Sequence, residues 1–313
     1  MTRKTRRQFL TQSTVAAAGA FWSPRILFAA PSGGPSIEFP ANSRDRLSIA
    51  SYPFREFIAG PGEAISPRKI DLKDFAAHAI ENFQINKIEP WSRHFHSVDA
   101  GYLAGFRASV EKSHAQIVNI AVDGEQSPYS LDRKDRGAAV AYARKWVDVA
   151  VAVGSPSIRT HIASAKDSRP DVDRAAESLG QVAEYGARNN VVINLENDDS
   201  ISEDPFFVAR VIEKAGTPWL RALPDFANSL AISTEDYNDR GFRAMCSHAY
   251  NICHVKEVED GEKGRAYHVD LARAFAILKR SNYRGFLSME WDSAGDPYEG
   301  TKSLIAKTVE RLG

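Results

Sequence analysis

Cysteine is almost absent from this chain of 313 residues: Cys246 and Cys253 are the only two. Two thiols cannot make the disulfide framework of a small secreted scaffold. Cys253 lies inside an apolar run and reads as a packed core thiol, Cys246 as a helical one, with a 246–253 disulfide as the less favoured alternative. No Walker-type or dinucleotide glycine fingerprint and no nucleophile elbow occurs, which leaves ATP, NAD and serine hydrolase chemistry without a sequence basis. No stretch has the length and apolarity of an ordinary transmembrane helix, and neither a long low-complexity tract nor a convincing short repeat is found. Excess basic charge is missing too, with 40 Lys and Arg against 40 Asp and Glu.

The N-terminus is distinct in composition. Thr5-Arg6-Arg7-Gln8-Phe9-Leu10 precedes an uncharged, Ala-rich stretch over 11–23 and then Leu27-Phe28-Ala29-Ala30. This resembles a twin-arginine export signal, which implies use of that export machinery, cleavage near Ala30, no stable membrane span afterwards and a periplasmic or otherwise exported protein. Residues 31–46, rich in Pro, Gly and Ser, read as a flexible leader, and 47–313 as one catalytic domain. Removing residues 1–30 takes away five basic residues and no acid, leaving 35 against 40 and a net charge of −5. That balance argues against a nucleic-acid partner, whose phosphates call for a basic face.

What the chain does contain is eight short apolar or β-branched runs, at 47–54, 85–91, 117–123, 157–162, 191–197, 220–226, 251–256 and 285–291. Most are separated by segments of 3.6-residue periodicity, such as 173–189, where Ala176, Leu179, Val182, Ala183 and Ala187 form one stripe. Strand then helix, eight times, predicts an α/β fold, a single-domain (β/α)8 TIM barrel, and the length suits it.

Four ionisable residues sit at or near the ends of the last four runs: Glu196, Asp225, His254 and Glu290, spaced by 29, 29 and 36 residues. In such a barrel the C-terminal strand ends carry function. Three carboxylates and an imidazole form an oxygen-plus-nitrogen set suited to one divalent ion, Mn²⁺, Co²⁺, Mg²⁺ or Zn²⁺. A lone buried glutamate would read as a paired core carboxylate; four at homologous positions read as a site.

From His254-Val255-Lys256-Glu257 through Gly264, Val269-Asp270 and Tyr283-Arg284-Gly285-Phe286-Leu287-Ser288-Met289-Glu290, the chain resembles the closing third of the sugar phosphate isomerase/epimerase family of xylose isomerase-like barrels. The resemblance extends over about 47–311. It implies that Glu196, Asp225, His254 and Glu290 hold one metal and that Glu196 and Glu290 flank the substrate as a proton-transfer pair. Where many members carry a histidine three residues after the sixth-strand aspartate, this chain has Asn228. Its amide can bind a sugar hydroxyl but is a poorer metal ligand, which disfavours a multi-zinc, endonuclease IV-like phosphodiesterase.

The chemistry expected is proton abstraction α to a carbonyl through a metal-stabilised enediolate. The product is an isomer or epimer, or, where a β-substituent leaves, that of a lyase or dehydratase acting on a keto-glycoside or cyclitol. Export and the lack of a glycine-rich phosphate loop favour an unphosphorylated small-molecule carbohydrate. Lys256, on the same strand face as His254, either steadies an enediolate oxygen or pairs with a carboxylate. Arg159 and His161 share a face, so both or neither enter the barrel mouth. Glu89, Trp91, His94 and His96 follow the second run, where stacking on a sugar competes with plain packing and solvation. Tyr52, Phe54, Arg55 and Glu56 are expected to wall the pocket, and 123–135 to form a mobile lid. An inactive sugar-binding relative is the main competing reading, and the pair Glu196 and Glu290 speaks against it. Pairing of such barrels through their helices is possible, but no interface is legible.

Overall fold

The computed structural model describes residues 33–198, 202, 204–230, 233–260 and 266–312. The export-signal segment lies outside the described residues, as do residues 31–32 and Gly264. Among the described residues no helix is long and apolar enough to cross a membrane.

All eight apolar runs become strands, each shorter than the run. They are β1 (Leu47–Ala50), β2 (Lys87–Glu89), a third strand in two pieces, β3 (Gln116–Ile117) and β4 (Ile120–Ala121), then β5 (Ser157–Thr160), β6 (Val192–Glu196), β7 (Leu220–Leu223), β8 (Ile252–Val255) and β11 (Phe286–Met289). All pair in parallel, as β3-β2-β1-β11-β8 and β4-β5-β6-β7. Single bridges join Trp91 to Ala121 and Asp225 to His254, closing the two arcs into a barrel. The break in the third strand falls at Val118 and Asn119. There Asn119 turns its side chain inward, donating from Nδ2 to Glu89 Oε1 (2.7 Å) and accepting Ser157 Oγ at Oδ1 (2.5 Å). An extra antiparallel hairpin, β9 (Val258–Asp260) and β10 (Ala266–His268), follows β8.

Among the described residues eight α-helices return the chain: α1 (Phe75–Phe83), α2 (Ala100–Lys112), α3 (Arg133–Val153), α4 (Val172–Arg188), α5 (Pro205–Ala215), α6 (Glu235–Cys246), α7 (Leu271–Arg280) and α8 (Pro297–Leu312). Aspartates recur as their N-caps. Asp132, Asp171, Asp204 and Asp270 each accept a first-turn backbone N–H of α3, α4, α5 and α7, a contact typically worth about 1 kcal/mol. Helix α3 ends on Gly154 at φ +79°, a left-handed conformation that suits glycine. The α4 stripe expected from the sequence is buried in full. Both cysteines are buried free thiols, with Cys253 Sγ donating to Pro224 O (3.0 Å).

Two segments expected to be flexible or mobile make specific contacts. In the leader, Pro35, Ile37 and Phe39 rest against the barrel. Ile37 N donates to the Tyr250 hydroxyl (2.9 Å), which itself donates to Pro35 O (2.8 Å). Phe39 meets Tyr250 and Phe286 edge to face at 5.6 and 5.5 Å. Ile37 and Phe39 pack against the small apolar cluster of Val118, Leu223, Ile252 and Phe286. The segment expected to be a lid, 123–135, is tied to its neighbours at Tyr129 and Ser130. Tyr129 is 1% exposed, its hydroxyl accepts Ala165 N (3.0 Å) and its carbonyl accepts Arg174 Nε (2.9 Å). Ser130 Oγ ties the same segment to Asp167 (2.8 Å).

Candidate metal centre and cavity

Barrel closure brings Glu196, the last residue of β6, beside Asp225 beyond β7, His254 in β8 and Glu290 just past β11. One donor atom from each lies within 4.8 Å of all the others, and all four residues are buried. Two buried carboxylate oxygens accept no hydrogen bond, although each has a cationic side chain nearby. Asp225 spends Oδ1 on the backbone N–H groups of Ala227 and Asn228, both at 2.7 Å, while its buried Oδ2 accepts no hydrogen bond. Glu196 Oε2 is also without a hydrogen bond, although Arg159 Nε stands 2.6 Å away as an ion-pair partner out of donor alignment. Buried acceptors without donors are costly unless something cationic satisfies them. This donor set and its free lone pairs therefore fit one divalent ion.

Charge in the cluster is arranged unevenly. Burial would depress the His254 imidazole, but the carboxylates of Glu196, Glu290 and Glu89 outweigh it and raise its pKa well above the ordinary value. Burial would raise Glu290, yet His254 and Lys256, each with a nitrogen 3.3 Å from Oε2, hold it down at about 2. Asp225 is pushed up to about 6 by burial, with Glu290 and Glu196 adding to the effect. Glu196 is raised as well, since burial exceeds the help from Arg159 and His254. Lys256 keeps its charge because Asp225, Glu290 and Glu259 overcome the cost of burial.

Above the cluster opens a cavity of about 830 Å³ at the C-terminal mouth of the barrel, near the upper end of the ~300–1,000 Å³ usual for small-molecule sites. Of the residues singled out from the sequence, Tyr52, Trp91, Arg159, His161, Asn228, Lys256 and Glu290 line it. Both alternating residues of the fourth run thus face the mouth. Lys256 Nζ donates to Asn228 Oδ1 (2.8 Å) and Glu259 Oε2 (3.0 Å), so it both borders the cavity and pairs with carboxylates.

Glu89 and His94 take different positions from those expected. Glu89 is 1% exposed and stands behind the cluster, where His254 Nε2 donates to its Oε2 (2.9 Å) and Asn119 Nδ2 to its Oε1. It orients the imidazole, in the way that outer carboxylates orient metal-binding histidines, and does not reach the cavity. His94 is 2% exposed, bonded through Nδ1 to Ser51 Oγ (2.8 Å) and packed under the Trp91 ring. Phe54 is likewise a core residue, against Phe75 and Tyr298.

Several lining residues were not singled out from the sequence. Asp123 accepts Trp91 Nε1 (2.8 Å) and Arg159 Nη1 (3.1 Å), fixing both at the rim. Asp198 pairs at 3.7 Å with both Arg159 and His161. The Glu259 carboxyl arrives on the β9–β10 hairpin; burial pushes it up to about 7, and Lys256 opposes that shift. The end of the third run at Asp123 and the alternation of Glu196 with Asp198 beyond the fifth would have pointed to two of them.

Solved structures share this architecture. A D-allulose 3-epimerase from Methylomonas sp. is 16% identical, with 88% of this chain and 100% of that one covered at a TM-score of 0.65. A 3-keto-D-glucoside 4-epimerase from E. coli is 14% identical, with 81% and 99% covered at 0.61. A xylose isomerase-like TIM barrel protein from Mycobacterium smegmatis in complex with magnesium is 15% identical, with 85% and 97% covered at 0.62. No curated protein matches the chain in sequence. A family model does match, over residues 72–311, three quarters of the chain, and on that match, with the closed eight-stranded barrel it describes, the chain belongs to the xylose isomerase-like TIM barrel family.

Proposed function

We propose that the protein is a divalent-metal-dependent enzyme that removes a proton α to a carbonyl of an unphosphorylated carbohydrate, giving isomerisation or epimerisation. The observation that carries this reading is the buried cluster of three carboxylates and one imidazole directly beneath a sugar-sized cavity. Glu196, Asp225, His254 and Glu290 would hold the metal. When bound, a divalent ion there supplies Lewis acidity to a carbonyl and its neighbouring hydroxyl.

The chain's own groups divide the remaining work. Glu290 borders the cavity, so it is the carboxylate best placed to take a substrate proton. Glu196 is held back by Arg159, itself fixed by Asp123. Lys256 offers a permanent ammonium, kept in place by Asn228 and Glu259, to an oxygen that gains negative charge. Lysine and histidine donors around the cavity also suit departure of a β-substituent, so elimination from a keto-glycoside or dehydration is the second reading. Asn228 spends its carbonyl oxygen on Lys256, which disfavours a second metal and the phosphodiesterase reading. Export through the twin-arginine pathway to the periplasm belongs to this proposal, supported by the Arg6-Arg7-Gln8-Phe9-Leu10 segment.

The test is metal content of the mature protein purified without chelator, beside Asp225→Ala and His254→Ala. About one equivalent, lost in both variants, is expected. Deuterium uptake from heavy water into ketoses and 3-keto-glucosides should then depend on Glu290 and vanish in Glu290→Gln. A wild-type protein that takes up no metal even when it is supplied would sink the enzyme reading in favour of a sugar-binding one.

A further inference from the structure

A second concavity, of about 640 Å³, lies beside the first, and Arg55 lines both. It is built where the first and last barrel strands end, from Phe57, Trp291 and Tyr298 together with Pro53 and Pro297. Phe57 is 37% exposed, one of few large apolar side chains so placed among the described residues, and meets Tyr298 edge to face at 5.4 Å. The Trp291 indole lies against Gly300, where any Cβ would collide with it, so the ring is locked in position. Past β11, side chains alternate between the two spaces: Glu290 and Asp292 line the metal cavity, Trp291 and Ser293 the outer groove.

Between the spaces stands one ion pair, Arg55 Nη2 to Asp292 Oδ1 at 3.0 Å, with side chains 38% and 16% exposed. A pair this accessible contributes little to stability. It does set a guanidinium donor and a carboxylate acceptor side by side, the complement of sugar hydroxyls. Arg55 also stacks over Tyr52, 4.4 Å from the ring centre, so the junction has a flat wall. Rigid aromatic surface next to paired polar groups is the chemistry that binds a pyranose or aryl ring, by apolar contact with the ring face and hydrogen bonds at its edge.

We propose that this groove is a second ring subsite, and that the substrate is a two-ring glycoside whose reacting sugar sits over the metal cluster while its aglycone ring lies on Phe57 and Trp291. The proposal rests on the reading of the site as a sugar-transforming centre, but it makes a separate claim about binding. The groove shares the Arg55 side chain with the cavity, and a single hexose over the cluster would leave it unused.

The experiment compares methyl β-D-glucoside, phenyl β-D-glucoside and cellobiose on the full mature protein loaded with Mn²⁺, by calorimetry and tryptophan fluorescence. The two-ring probes should bind about tenfold tighter than the methyl glycoside. In Phe57→Ser, which alters an exposed position, that ratio should fall towards one, with Trp291→Leu as a second variant and melting temperature as the check on folding. Equal affinity of one-ring and two-ring probes, no binding of either, or a ratio unchanged in both variants overturns the subsite. The Mn²⁺ content of the loaded protein, measured separately, reports on the metal centre independently, so failure of the groove and failure of the enzyme reading are told apart.

Discussion

Replacing Glu89 with glutamine isolates a directional chain of hydrogen bonds beneath the candidate metal centre. Asn251 Nδ2 donates to Ser157 Oγ (2.8 Å), Ser157 Oγ to Asn119 Oδ1 (2.5 Å), and Asn119 Nδ2 to Glu89 Oε1 (2.7 Å). Glu89 therefore accepts at both oxygens, the second taking His254 Nε2–H at 2.9 Å. Glu89 thereby holds the proton on His254 Nε2, so that Nδ1, which donates to Glu196 Oε1 (2.7 Å) and faces Glu290, is the nitrogen that would give up its proton to a metal. A glutamine cannot accept on both sides. With its oxygen towards Asn119, its NH₂ opposes His254 and drives the proton to Nδ1; with its oxygen towards His254, two NH₂ groups meet at Asn119, whose own oxygen is already engaged. Such outer partners are typically worth about 10- to 100-fold in metal affinity, or about 1.4 to 2.7 kcal/mol. Titration of the metal-free protein with Mn²⁺, followed by calorimetry or electron paramagnetic resonance, reads this directly, with circular dichroism confirming the fold. A dissociation constant within twofold of wild type would refute the relay.

Three further outcomes follow from the geometry. Asp225→Asn keeps the acceptor for Ala227 and Asn228 but weakens the free ligand atom, so the metal-free melting temperature should hold or rise. The gain on adding Mn²⁺, about 2.7 kcal/mol at 100 times the dissociation constant, should disappear; a gain equal to wild type would remove Asp225 from the ligand set. His94 is held to about 4 by burial, against 6.5 when exposed. Its contribution is fully present above pH 6.5 and is lost as pH falls towards 4, because the unfolded chain binds the proton first. Urea unfolding of wild type should lose about 2.5 kcal/mol from this group between pH 7.5 and 4.5, a loss missing from His94→Gln, and identical pH dependence in both proteins would contradict the assignment. Phe39→Ala should cost about 2 kcal/mol, roughly half the price of a fully buried phenylalanine, measured by the same unfolding curves; no change would mean the N-terminal segment does not hold the barrel floor.

Local periodicity determined much of this protein. Alternation and β-branching mark all eight barrel strands, the 3.6-residue stripe marks α4, and placing Glu196, Asp225, His254 and Glu290 at strand ends is enough to assemble the cluster once the barrel closes. Those signals are legible because a strand's inward face and a helix's buried stripe depend on residues a few positions apart. Closure itself decided the rest. Glu89 meets His254 across 165 residues, Arg159 meets Glu196 across neighbouring strands, and Asn119 breaks the third strand to join them. The hairpin that carries Glu259 and the seating of Phe39 on the barrel floor have no periodic signature at all. The sequence names the groups able to bind a metal, but which oxygen stays free, which nitrogen is presented and which ring lines the cavity depend on cross-barrel neighbours, and only the folded chain selects those.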